Sequence, residues 1–393
     1  MKWSDFTGDA PGELVDTTVN GQTVPAFVPD DLSADVVDDG GFVNEIGQAM
    51  RSIGELDALG PIAGSNRMLV EAFARKEAVQ SSRIEGTEVT LSDMYRYEAQ
   101  QSMGEPTARN EGARQAENYL QALDFGLDQI SGGETITTSL LCEMHEILLE
   151  EVRSEDPSPG ELRELQNYIA PFGDAPITQA TFVPPPPDTV LEKLDTLLEF
   201  TNGRQGIHSL IKIGLIHYQF ETIHPFRDGN GRLGRLLISL ELQREGLLGE
   251  PYLYFSAYFN EYRRDYTRLL DDVRMHGEWG AWIHFFLRAI WKQAKEAKKR
   301  AIRLINLRRE YTNRYQEHRS PYIVQLTHRL FENPYISAKE TQEVLDCSHQ
   351  TAYNLIETLR DDGVLIETEE SEGSILFYAE EIYEILDNPV EDT

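Results

Sequence analysis

The feature that most constrains this sequence is the stretch TIHPFRDGNGRLGR, residues 222–235, which lies between two apolar runs. The run SLIKIGLIHYQFETI before it, at 209–223, and the run LLISLELQREGLL after it, at 236–248, both have helical periodicity. The stretch itself crowds glycines, arginines, a histidine and an aspartate into one short segment. The sequence therefore predicts a helix–loop–helix whose loop carries chemistry.

The glycines and arginines of this loop predict an anion site. Gly229 and Gly231 let the backbone turn where a side-chain carbon would clash, and successive N–H groups in such a turn can cradle a phosphate. The helix that starts near Arg232 adds the positive end of its dipole. Arg232 and Arg235 are three residues apart, so both point from roughly one face of that helix. Two guanidinium groups on one face suit a polyphosphate better than a lone phosphate.

Three further side chains complete the predicted site. Asp228 would be repelled by phosphates unless a cation lay between them, and Mg²⁺ resolves that conflict. His224, at the end of the preceding helix, can reach the same pocket as a neutral base. Phe226 is apolar and is expected to anchor the loop in the core. The loop is therefore interpreted as a site for a nucleotide with Mg²⁺, with a base that deprotonates an incoming hydroxyl.

Other interpretations of the loop are weaker. The string from Gly229 to Gly234 matches the dinucleotide fingerprint GxGxxG, but that fingerprint requires a preceding strand and a βαβ unit. A zinc-protease site fails because Leu149 stands where His145-Glu146 would need a second histidine. The plain alternative is a structural helix–loop–helix whose histidine and arginines pair with local acids.

The complete loop resembles the motif HPFx[D/E]GNGRxxR of the Fic family of AMP transferases. The resemblance implies transfer of AMP from ATP to a hydroxyl of a target protein, with release of pyrophosphate. It implies that His224 is the base, that Asp228 binds Mg²⁺, and that Asn230 and the glycine amides hold the α-phosphate. The nucleotide-binding residues implied by the resemblance are Phe226, Arg227, Gly229, Asn230, Gly231, Arg232, Arg235 and Tyr262.

A second segment, SSRIEG at 81–86, resembles the pattern [S/T]xxxE[G/N] of autoinhibited family members. Ser81, Glu85 and Gly86 fill that pattern. A Glu85 carboxylate that reached Arg235 would compete for the guanidinium that the γ-phosphate needs. The alternative is an ordinary helix end with a glycine stop.

The resemblance extends to segments on either side of the loop. The extended stretch at 166–187 resembles the family's flap, a hairpin that docks the protein substrate as an added strand, and Gly160 and Arg163 fit the pattern before it. The alternative is a structural hairpin that covers the core. Residues 252–274 also resemble the family, but Tyr262 stands where related members carry asparagine near the adenine. Tyr262 could instead stack on the base, so nucleotide preference stays open.

The whole chain is predicted to be mainly α, with a Fic-type helical bundle, a small β-hairpin flap and a C-terminal winged helix-turn-helix. Asn20-Gly21 predicts a hairpin near the N-terminus, and the lack of proline over 279–319 predicts one long helix or two nearly in line. The predicted parts are an N-terminal segment with the inhibitory helix at 1–105, a catalytic core at 106–290, a basic connector at 291–320 and the winged helix at 321–393.

Charge limits the partners of the last two parts. After residue 320 the basic residues are Arg329, Lys339 and Arg360, among many acids, so DNA binding is disfavoured and a protein-docking or dimer module is the alternative. The connector is the one strongly basic stretch, and pairing with acids of a neighbouring domain or subunit is favoured there over nucleic acid.

Composition predicts the compartment. The formal net charge is −31 over 393 residues, which suggests a solvated surface, suited to high salt or simply that of an acidic cytosolic protein. The sequence shows neither an apolar signal core at its start nor a run of about 18 uncharged apolar residues. A cytoplasmic protein without membrane attachment is expected.

The sequence thus predicts a Mg·ATP-dependent protein adenylyltransferase held inactive by its own N-terminal helix. The same site could instead remove AMP, with Glu85 orienting a water, or transfer another nucleotide. From a different class, the chain could be a DNA-binding regulator whose Fic domain senses nucleotide.

Overall fold

The computed structural model describes residues 2–19, 21–61, 66–102, 110–152, 158–170, 175–368 and 375–388. The chain forms two compact units. The first unit consists of Met1–Arg51, Asn118–Gly249 and Phe255–Lys292, and the second of Ser52–Glu117, Glu250–Tyr254 and Gln293–Thr393. The boundaries of these units differ from those of the four parts expected from the sequence, because N-terminal helices belong to the same unit as the C-terminal segment. The four-part division stays a prediction.

The structure is mainly helical with two small antiparallel sheets, as predicted. The helices are α1 Val43–Asp57, α2 Asn66–Ile84, α3 Leu91–Ser102, α4 Glu111–Ile130, α5 Thr138–Leu148, α6 Pro187–Asn202, α7 Ser209–Ile223, α8 Asn230–Arg244, α9 Ser256–Glu261, α10 Arg263–His276, α11 Trp279–Tyr315, α12 Tyr322–Leu330, α13 Ala338–Leu345, α14 His349–Asp361 and α15 Glu380–Asp387. The strands are β1 Gly12–Val19, β2 Gln22–Pro29, β3 Tyr335–Ser337, β4 Ile366–Glu367 and β5 Leu376–Tyr378. None of the helices among the described residues is both long and apolar enough to cross a membrane.

The core of the first unit is built around α7. Every residue of this helix from Leu210 to Ile223 is buried, and a fully buried leucine or isoleucine contributes about 1.5–3 kcal/mol. At Gly214 the neighbouring α11 comes so close that a Cβ would lie 3.1 Å from Ile283 Cδ1, and the Trp282 indole N–H donates to the Gly214 carbonyl at 2.9 Å. This packing fixes α7 as a rigid base for the loop that follows it.

The predicted N-terminal hairpin is confirmed, and it packs on the flap. Strands β1 and β2 pair in register from Gly12↔Pro29 to Val19↔Gln22, and Gly21 in the turn has a left-handed φ of 77°, as a two-residue hairpin loop requires. Asn20 lies outside the described residues. The buried side chains that join the hairpin to the flap are Val24, Ala26, Ile177, Ala180 and Val183.

The flap differs from the hairpin expected over 166–187. Among its described residues the arms meet at one antiparallel bridge, Ile169↔Phe182, and a short 3-10 turn forms at Ile177–Gln179. Part of the predicted hairpin, 171–174, lies outside the described residues. Prolines limit the ladder because they have no N–H to donate, and the Val183 carbonyl instead accepts from the Phe27 N–H of β2 at 2.9 Å.

The C-terminal segment of the second unit has the predicted order of elements. Helices α13 and α14 are joined by a three-residue turn and capped by Ser337 and Ser348, whose hydroxyls accept N–H groups of the first turn. Strands β3, β5 and β4 form an antiparallel sheet in that order. Strand β3 and helix α15 were not anticipated. The assignment of this segment as a winged helix-turn-helix stays a prediction.

Two buried cations, one from α2 and one from α11, donate to main-chain carbonyls at the end of α15. Lys76 of α2 donates to the Leu386 carbonyl at 3.0 Å, and Arg300 of α11 donates to the Ile385 carbonyl and, at 3.1 Å, to that of Asn388. Cations near the carbonyl end of a helix are favoured by its dipole. Both also face the Tyr254 ring. Burial, with Arg300 beside it, lowers the pKa of Lys76 to about 8.

The predicted long helix is confirmed as α11, which has 37 residues. Within its basic stretch, Lys298 pairs with Glu55 at 2.8 Å, Arg300 with Glu296 at 2.6 Å and Arg314 with Glu310 at 2.8 Å. Two of these pairs lie within α11 and the third joins it to α1 in the same unit. Acids of a neighbouring domain or subunit were the expected partners, and that expectation stays a prediction.

Candidate active site

His224 lies in a strained conformation at the end of α7. Its backbone has φ 51° and ψ 60°, the left-handed region, where a residue other than glycine costs about 1–3 kcal/mol. Pro225 disfavours the right-handed helical conformation for the residue before it. The N–H of His224 still donates to the Phe220 carbonyl at 2.9 Å. The helix therefore ends where the proline requires, and the histidine turns away from the helix axis.

A contact with the main chain favours one tautomer of the His224 imidazole. Its Nδ1 lies 3.4 Å from the Glu221 carbonyl oxygen. A carbonyl can only accept a hydrogen bond, so this contact requires a proton on Nδ1. Nε2 is then the nitrogen with the lone pair, which is the form that a general base needs.

Arg163 holds the main chain around His224. Its Nε donates to the His224 carbonyl at 2.8 Å, and its Nη2 donates to the carbonyls of Pro185 at 2.6 Å and Ile223 at 3.3 Å. The Arg163 N–H also donates to the Pro225 carbonyl at 3.0 Å. Burial lowers the pKa of this guanidinium to about 10. One side chain thus fastens the end of α7 to the flap.

Asn230 closes the loop between the two helices. Its side-chain oxygen accepts from the Phe226 N–H and its amide donates to the Phe226 carbonyl, both at 2.8 Å. Asn167 of the flap donates to the same carbonyl at 2.9 Å. The side-chain oxygen and one amide hydrogen of Asn230 are therefore used within the loop, which is a role that the sequence did not indicate.

His145 of α5 is the main site residue that sequence reasoning missed. Its Nδ1 accepts from the Gly160 N–H at 2.9 Å, and its Nε2 lies 2.9 Å from the Asp228 carbonyl oxygen. The ring stacks on Phe226 with centroids 3.9 Å apart. Since Nδ1 accepts, Nε2 carries the proton and donates. A histidine on the apolar face of an amphipathic helix was the only sign of this role in the sequence.

The two glycines that were expected to form the turn have different conformations. Gly229 precedes α8 with a left-handed φ of 77°, and a Cβ there would lie 3.3 Å from His145 Nε2. Gly231 is already inside α8 and is not among the left-handed glycines, so its expected role in the turn is not seen. The helix begins at Asn230, two residues before the expected start near Arg232.

The predicted arginines differ in burial. Arg232 and Arg235 are 5% and 1% exposed, whereas Arg227 is exposed. Arg232 Nη2 lies 3.7 Å from Asp228 Oδ1. Burial, and then the charge of Arg235, lower the pKa of His217 to about 3. Two arginines thus bring positive charge into the interior at the start of α8.

His217 links α8 to the helices around it in its neutral form. Its Nδ1 lies 3.1 Å from the Gly234 carbonyl oxygen and its Nε2 2.8 Å from the Tyr266 hydroxyl. The carbonyl requires a proton on Nδ1, so Nε2 accepts from the tyrosine. This buried histidine therefore holds α7, α8 and α10 together.

The side chain of Asp228 is the predicted ligand for Mg²⁺. Its side chain is 38% exposed, and its Oδ1 accepts from the Gly229 N–H at 2.6 Å. In the described part of the chain, His, Cys, Asp and Glu side chains form no group of three or more able to hold a metal ion. Mg²⁺ commonly takes one or two carboxylates and completes its shell with phosphates and water. A single, partly exposed carboxylate beside the predicted anion site fits this mode of Mg²⁺ coordination.

Tyr262 lies between α9 and α10 and is 39% exposed. Its ring centroid is 4.5 Å from that of Tyr258. In the preceding turn, Phe259 stacks near His217 of α7 with centroids 5.9 Å apart, so α9 packs beside the helix that carries His224. Tyr262 therefore offers a partly exposed aromatic ring, which the buried Tyr258 supports from below.

Arg274 of α10 is a second residue that was not singled out from the sequence. It is 4% exposed. It donates to Thr222 Oγ1 at 3.1 Å, to Asp271 at 2.9 Å and to the Glu221 carbonyl at 3.3 Å. Its guanidinium also lies 3.9 Å from the ring centroid of Phe182 in the flap. Arg274 therefore braces the last turn of α7 against the flap.

The residues of the predicted inhibitory pattern lie at the end of α2 in the second unit. Ser81 is fully buried, and Glu85 is exposed just after the last helical residue, Ile84. Gly86 has a left-handed φ of 92°, as is common for a glycine that follows a helix.

Comparison with known proteins gives consistent matches. A model of the Fic/DOC family matches residues 135–242, and a model of the Fic/DOC family N-terminal region matches residues 43–128. A probable protein adenylyltransferase of Aquifex aeolicus is 37% identical over 90 residues, which are 23% of this chain and 28% of that protein. The protein adenylyltransferase Fic of Nematostella vectensis is 27% identical over 230 residues, 56% of this chain and 48% of that protein. The chain thus spans less than half of each relative.

Two solved structures share the fold. A Fic family protein from Desulfovibrio desulfuricans G20 superimposes with a TM-score of 0.55 and 21% identity, covering 87% of this chain and 97% of that one. A Fic domain containing signaling protein from Bacteroides thetaiotaomicron gives a TM-score of 0.53 and 20% identity, over 67% of this chain and 97% of that one.

Proposed function

This chain belongs to the Fic/DOC family, and we propose that it transfers AMP from ATP to a hydroxyl side chain of a target protein. The observation that carries the proposal is the 3.4 Å contact between His224 Nδ1 and the Glu221 carbonyl oxygen, which favours a lone pair on Nε2 at the start of the loop leading into α8. In the reaction, Nε2 takes the proton of the target hydroxyl. The hydroxyl oxygen forms a bond to the α-phosphorus, and the bond from that phosphorus to the bridging oxygen of the β-phosphate breaks. Pyrophosphate leaves.

The start of α8 binds the triphosphate in this proposal. The N–H groups from Gly229 to Gly231 and the remaining amide hydrogen of Asn230 hold the α-phosphate, and Arg232 and Arg235 hold the outer phosphates. Support comes from the burial of both guanidinium groups, since buried cations interact strongly with an arriving anion. Phe226 keeps the loop in shape, and the exposed Arg227 contacts the nucleotide from outside.

Asp228 binds Mg²⁺ together with the phosphates. The ion would neutralise phosphate charge, which removes the repulsion between the Asp228 carboxylate and the substrate. His145 holds the Asp228 main chain through its carbonyl. The role of Asp228 is thus to keep a carboxylate oriented beside the anion site.

Tyr262 is proposed to stack on the nucleotide base. Its ring is 39% exposed, and an exposed aromatic face is a surface on which any base can stack. Stacking does not distinguish adenine from other bases, so transfer of another nucleotide at the same site remains an alternative. Removal of AMP from a modified target is the other alternative, because it uses the same residues.

The flap at 166–187 is proposed to dock the target protein as an added strand. Its two arms meet at Ile169 and Phe182, and Arg163 and Arg274 connect it to the end of α7. A target segment bound there would lie beside the element that carries His224. We do not favour DNA as a partner, because Arg360, the one basic residue of α14, is paired with Glu357 at 2.6 Å and Glu367 at 3.4 Å. A cytoplasmic location and a homodimer also remain proposals.

Glu85 is proposed to inhibit the reaction by competing with the γ-phosphate for Arg235. Support comes from the position of Glu85 directly after α2 and from its exposed side chain. The Lys76–Leu386 hydrogen bond anchors α2 within its own unit. Ordered anchoring lowers the entropic cost of holding Glu85 in one place.

Labelling with α-labelled ATP and Mg²⁺ tests the proposal. We expect Glu85→Gly to label itself and proteins of a lysate strongly, and the parent chain to label weakly. The double variant Glu85→Gly/His224→Ala should lose about 10²–10⁴-fold in rate, as expected for loss of a general base. Glu88→Gly, in the same exposed turn, is the matched control and should behave as the parent. Equal labelling with and without His224 would refute the proposed role of the imidazole.

A further inference from the structure

The second unit contains a cavity of about 550 Å³. Helix α3, the β3–β5–β4 sheet and helix α15 each contribute to its walls. Its volume is in the range of sites for small organic ligands. Its described lining contains no residue of the motif at 222–235 and includes Arg96, Tyr335, Tyr378, Glu380, Tyr383 and Glu384.

Three tyrosine rings form a corner in this cavity. Tyr335 and Tyr378 are register partners on β3 and β5, and their rings stack with centroids 5.4 Å apart and planes at 16°. Tyr383 of α15 stands almost perpendicular to both, at 85° and 87°, with centroids 6.2 and 6.4 Å away. Aromatic faces carry partial negative charge. Rings set at right angles therefore present such faces from two directions, as in aromatic cages for ammonium groups.

Carboxylates stand next to the rings. Glu380 and Glu384 are one turn apart on α15 and both are exposed. In the described part of the chain, neither has a lysine or arginine within ion-pair distance. The third carboxylate of the lining, Glu367, lies 3.4 Å from Arg360. The described lining thus places uncompensated negative charge beside a tyrosine corner.

Arg96 shows that this aromatic surface accepts a cation. It is the basic residue of the described lining, and its guanidinium lies 5.7 Å from the ring centroid of Tyr335. It comes from α3 and faces the first of the three rings, while Glu380 and Glu384 lie on α15 with Tyr383. The ring of Tyr335 is therefore paired with the guanidinium of Arg96. The carboxylates that have no lysine or arginine within ion-pair distance among the described residues lie on α15, beside Tyr383.

The charge pattern selects the class of ligand. A phosphate or carboxylate ligand would meet three carboxylates against one guanidinium, and would be repelled. A neutral apolar ligand would cover Glu380 and Glu384 without pairing them, which costs free energy. An organic cation avoids both penalties, because its charge pairs with the carboxylates and its alkyl part packs on the rings.

We propose that this cavity binds an organic cation, an alkylammonium or guanidinium group, between the rings of Tyr378 and Tyr383 and the carboxylates of Glu380 and Glu384. Such a group is found both in free polyamines and in lysine or arginine side chains of a basic peptide. The site does not depend on the nucleotide chemistry proposed above.

Isothermal titration calorimetry of the full chain at physiological salt tests the site. The probes are spermidine, a short lysine peptide, and the same peptide with its amines acetylated. We expect at least one cationic probe to bind, and the acetylated peptide to bind at least roughly tenfold more weakly, because its charge is gone. Binding of spermidine alone identifies a free amine as the ligand, and binding of the peptide alone identifies a partner side chain.

Variants separate this site from general attraction to an acidic protein. Glu380→Gln/Glu384→Gln should weaken binding at least roughly tenfold, because it removes both charges and keeps their shape. The matched control is Asp188→Asn/Glu192→Gln, which removes two exposed carboxylates at the same spacing on α6 and should change nothing. Thermal unfolding verifies that each variant is folded.

A ring variant gives a second, independent test. Tyr383→Leu should also weaken binding, whereas Tyr383→Phe should retain it, because the phenyl face is kept and only the hydroxyl contacts, with Asp387 and the Ser92 backbone, are lost. The proposal is overturned if no cationic probe binds at millimolar concentration, if the acetylated peptide binds equally well, or if the α6 control loses as much affinity as the α15 variant.

Discussion

The imidazole Nε2 of His145 lies 2.9 Å from the carbonyl oxygen of Asp228, and the ring spans the distance from helix α5 to the loop before α8. The other ring nitrogen accepts the Gly160 N–H. The conformation of the loop therefore depends on a helix far away in sequence. The hydrogen bonds of His145, and other contacts between segments distant in sequence, give predictions that can be measured.

Replacing His145 tests that connection. His145→Phe keeps an aromatic ring against Phe226 but loses both hydrogen bonds, and the partly buried Asp228 carbonyl loses its donor. We expect the unfolding free energy to fall by about 1–3 kcal/mol and ATP binding to weaken, as measured by denaturant titration and calorimetry. The exposed His349→Phe is the control and should leave both unchanged. A His145→Phe protein as stable as the parent would show that these hydrogen bonds contribute little.

Arg163→Lys tests whether the guanidinium positions the base. Lysine keeps the charge but cannot reproduce the fork that contacts the carbonyls of His224, Ile223 and Pro185. In the Glu85→Gly background we expect kcat to fall roughly ten- to hundredfold, equivalent to about 1.4–2.8 kcal/mol. ATP affinity should stay nearly constant, because Arg163 contacts main chain and not phosphate. Arg204→Lys, at an exposed position, serves as control, and a fall in affinity without a fall in kcat would contradict the positioning role.

Gly229→Ala tests the left-handed turn before α8. An alanine at φ 77° costs about 1–2 kcal/mol, and its Cβ would press on His145 at 3.3 Å. We expect that loss in unfolding free energy and weaker ATP binding. Gly280→Ala, where a Cβ would meet nothing within 4 Å in α11, should be neutral or stabilising. Equal stability of the two variants would argue against strain at residue 229.

The neutral His217 predicts a pH dependence of stability. Its folded pKa is about 3 because of burial, below the ordinary value near 6.5, so the unfolded chain takes up the proton first as the pH falls. The stabilisation is complete above pH 6.5 and decreases by about 1.4 kcal/mol per pH unit towards pH 3. Denaturant titrations between pH 7.5 and 5 should show this slope in the parent and in His349→Gln. His217→Gln should have a flatter profile, and an unchanged profile would mean that other groups cause the decline.

Lys76→Met tests whether the anchoring of α2 matters for inhibition. Methionine keeps much of the side-chain volume but leaves the Leu386 carbonyl without its donor. We expect self-labelling to rise above the parent level, while staying below that of Glu85→Gly, because α2 is loosened but Glu85 is retained. The control Lys339→Met, at an exposed position, should label as the parent. If Lys76→Met labels no more than the parent, the anchor plays no part in inhibition.

The sequence predicted what depends on local pattern. The hairpin at Gly21, the buried α7, the long α11 and the stop after Ile84 follow from periodicity and from glycine, and all are present. The prediction of an anion site in the loop from His224 to Arg235 also rests on local pattern, because its residue types are close together in the chain, and it stays a prediction.

What could not be predicted depends on partners distant in sequence. The flap pairs at one bridge because prolines remove donors and β2 takes the Val183 carbonyl. Asn230 turns back to Phe226, and His145 reaches the loop from α5; neither contact has a spacing that could be recognised beforehand. The grouping of α2 with α15 joins segments about three hundred residues apart, for which a single sequence gives no indication.

That grouping has a consequence for biosynthesis. The hydrogen bond from Lys76 to Leu386 joins residues 310 positions apart, so it cannot form until the ribosome has made Leu386, whereas the segments that form the first unit are complete at Lys292. During translation α2 therefore emerges long before the helix whose carbonyl its lysine binds. A stop codon ahead of α15 would release a chain in which the buried Lys76 lacks this acceptor, and such a product would be a target for proteases and chaperones.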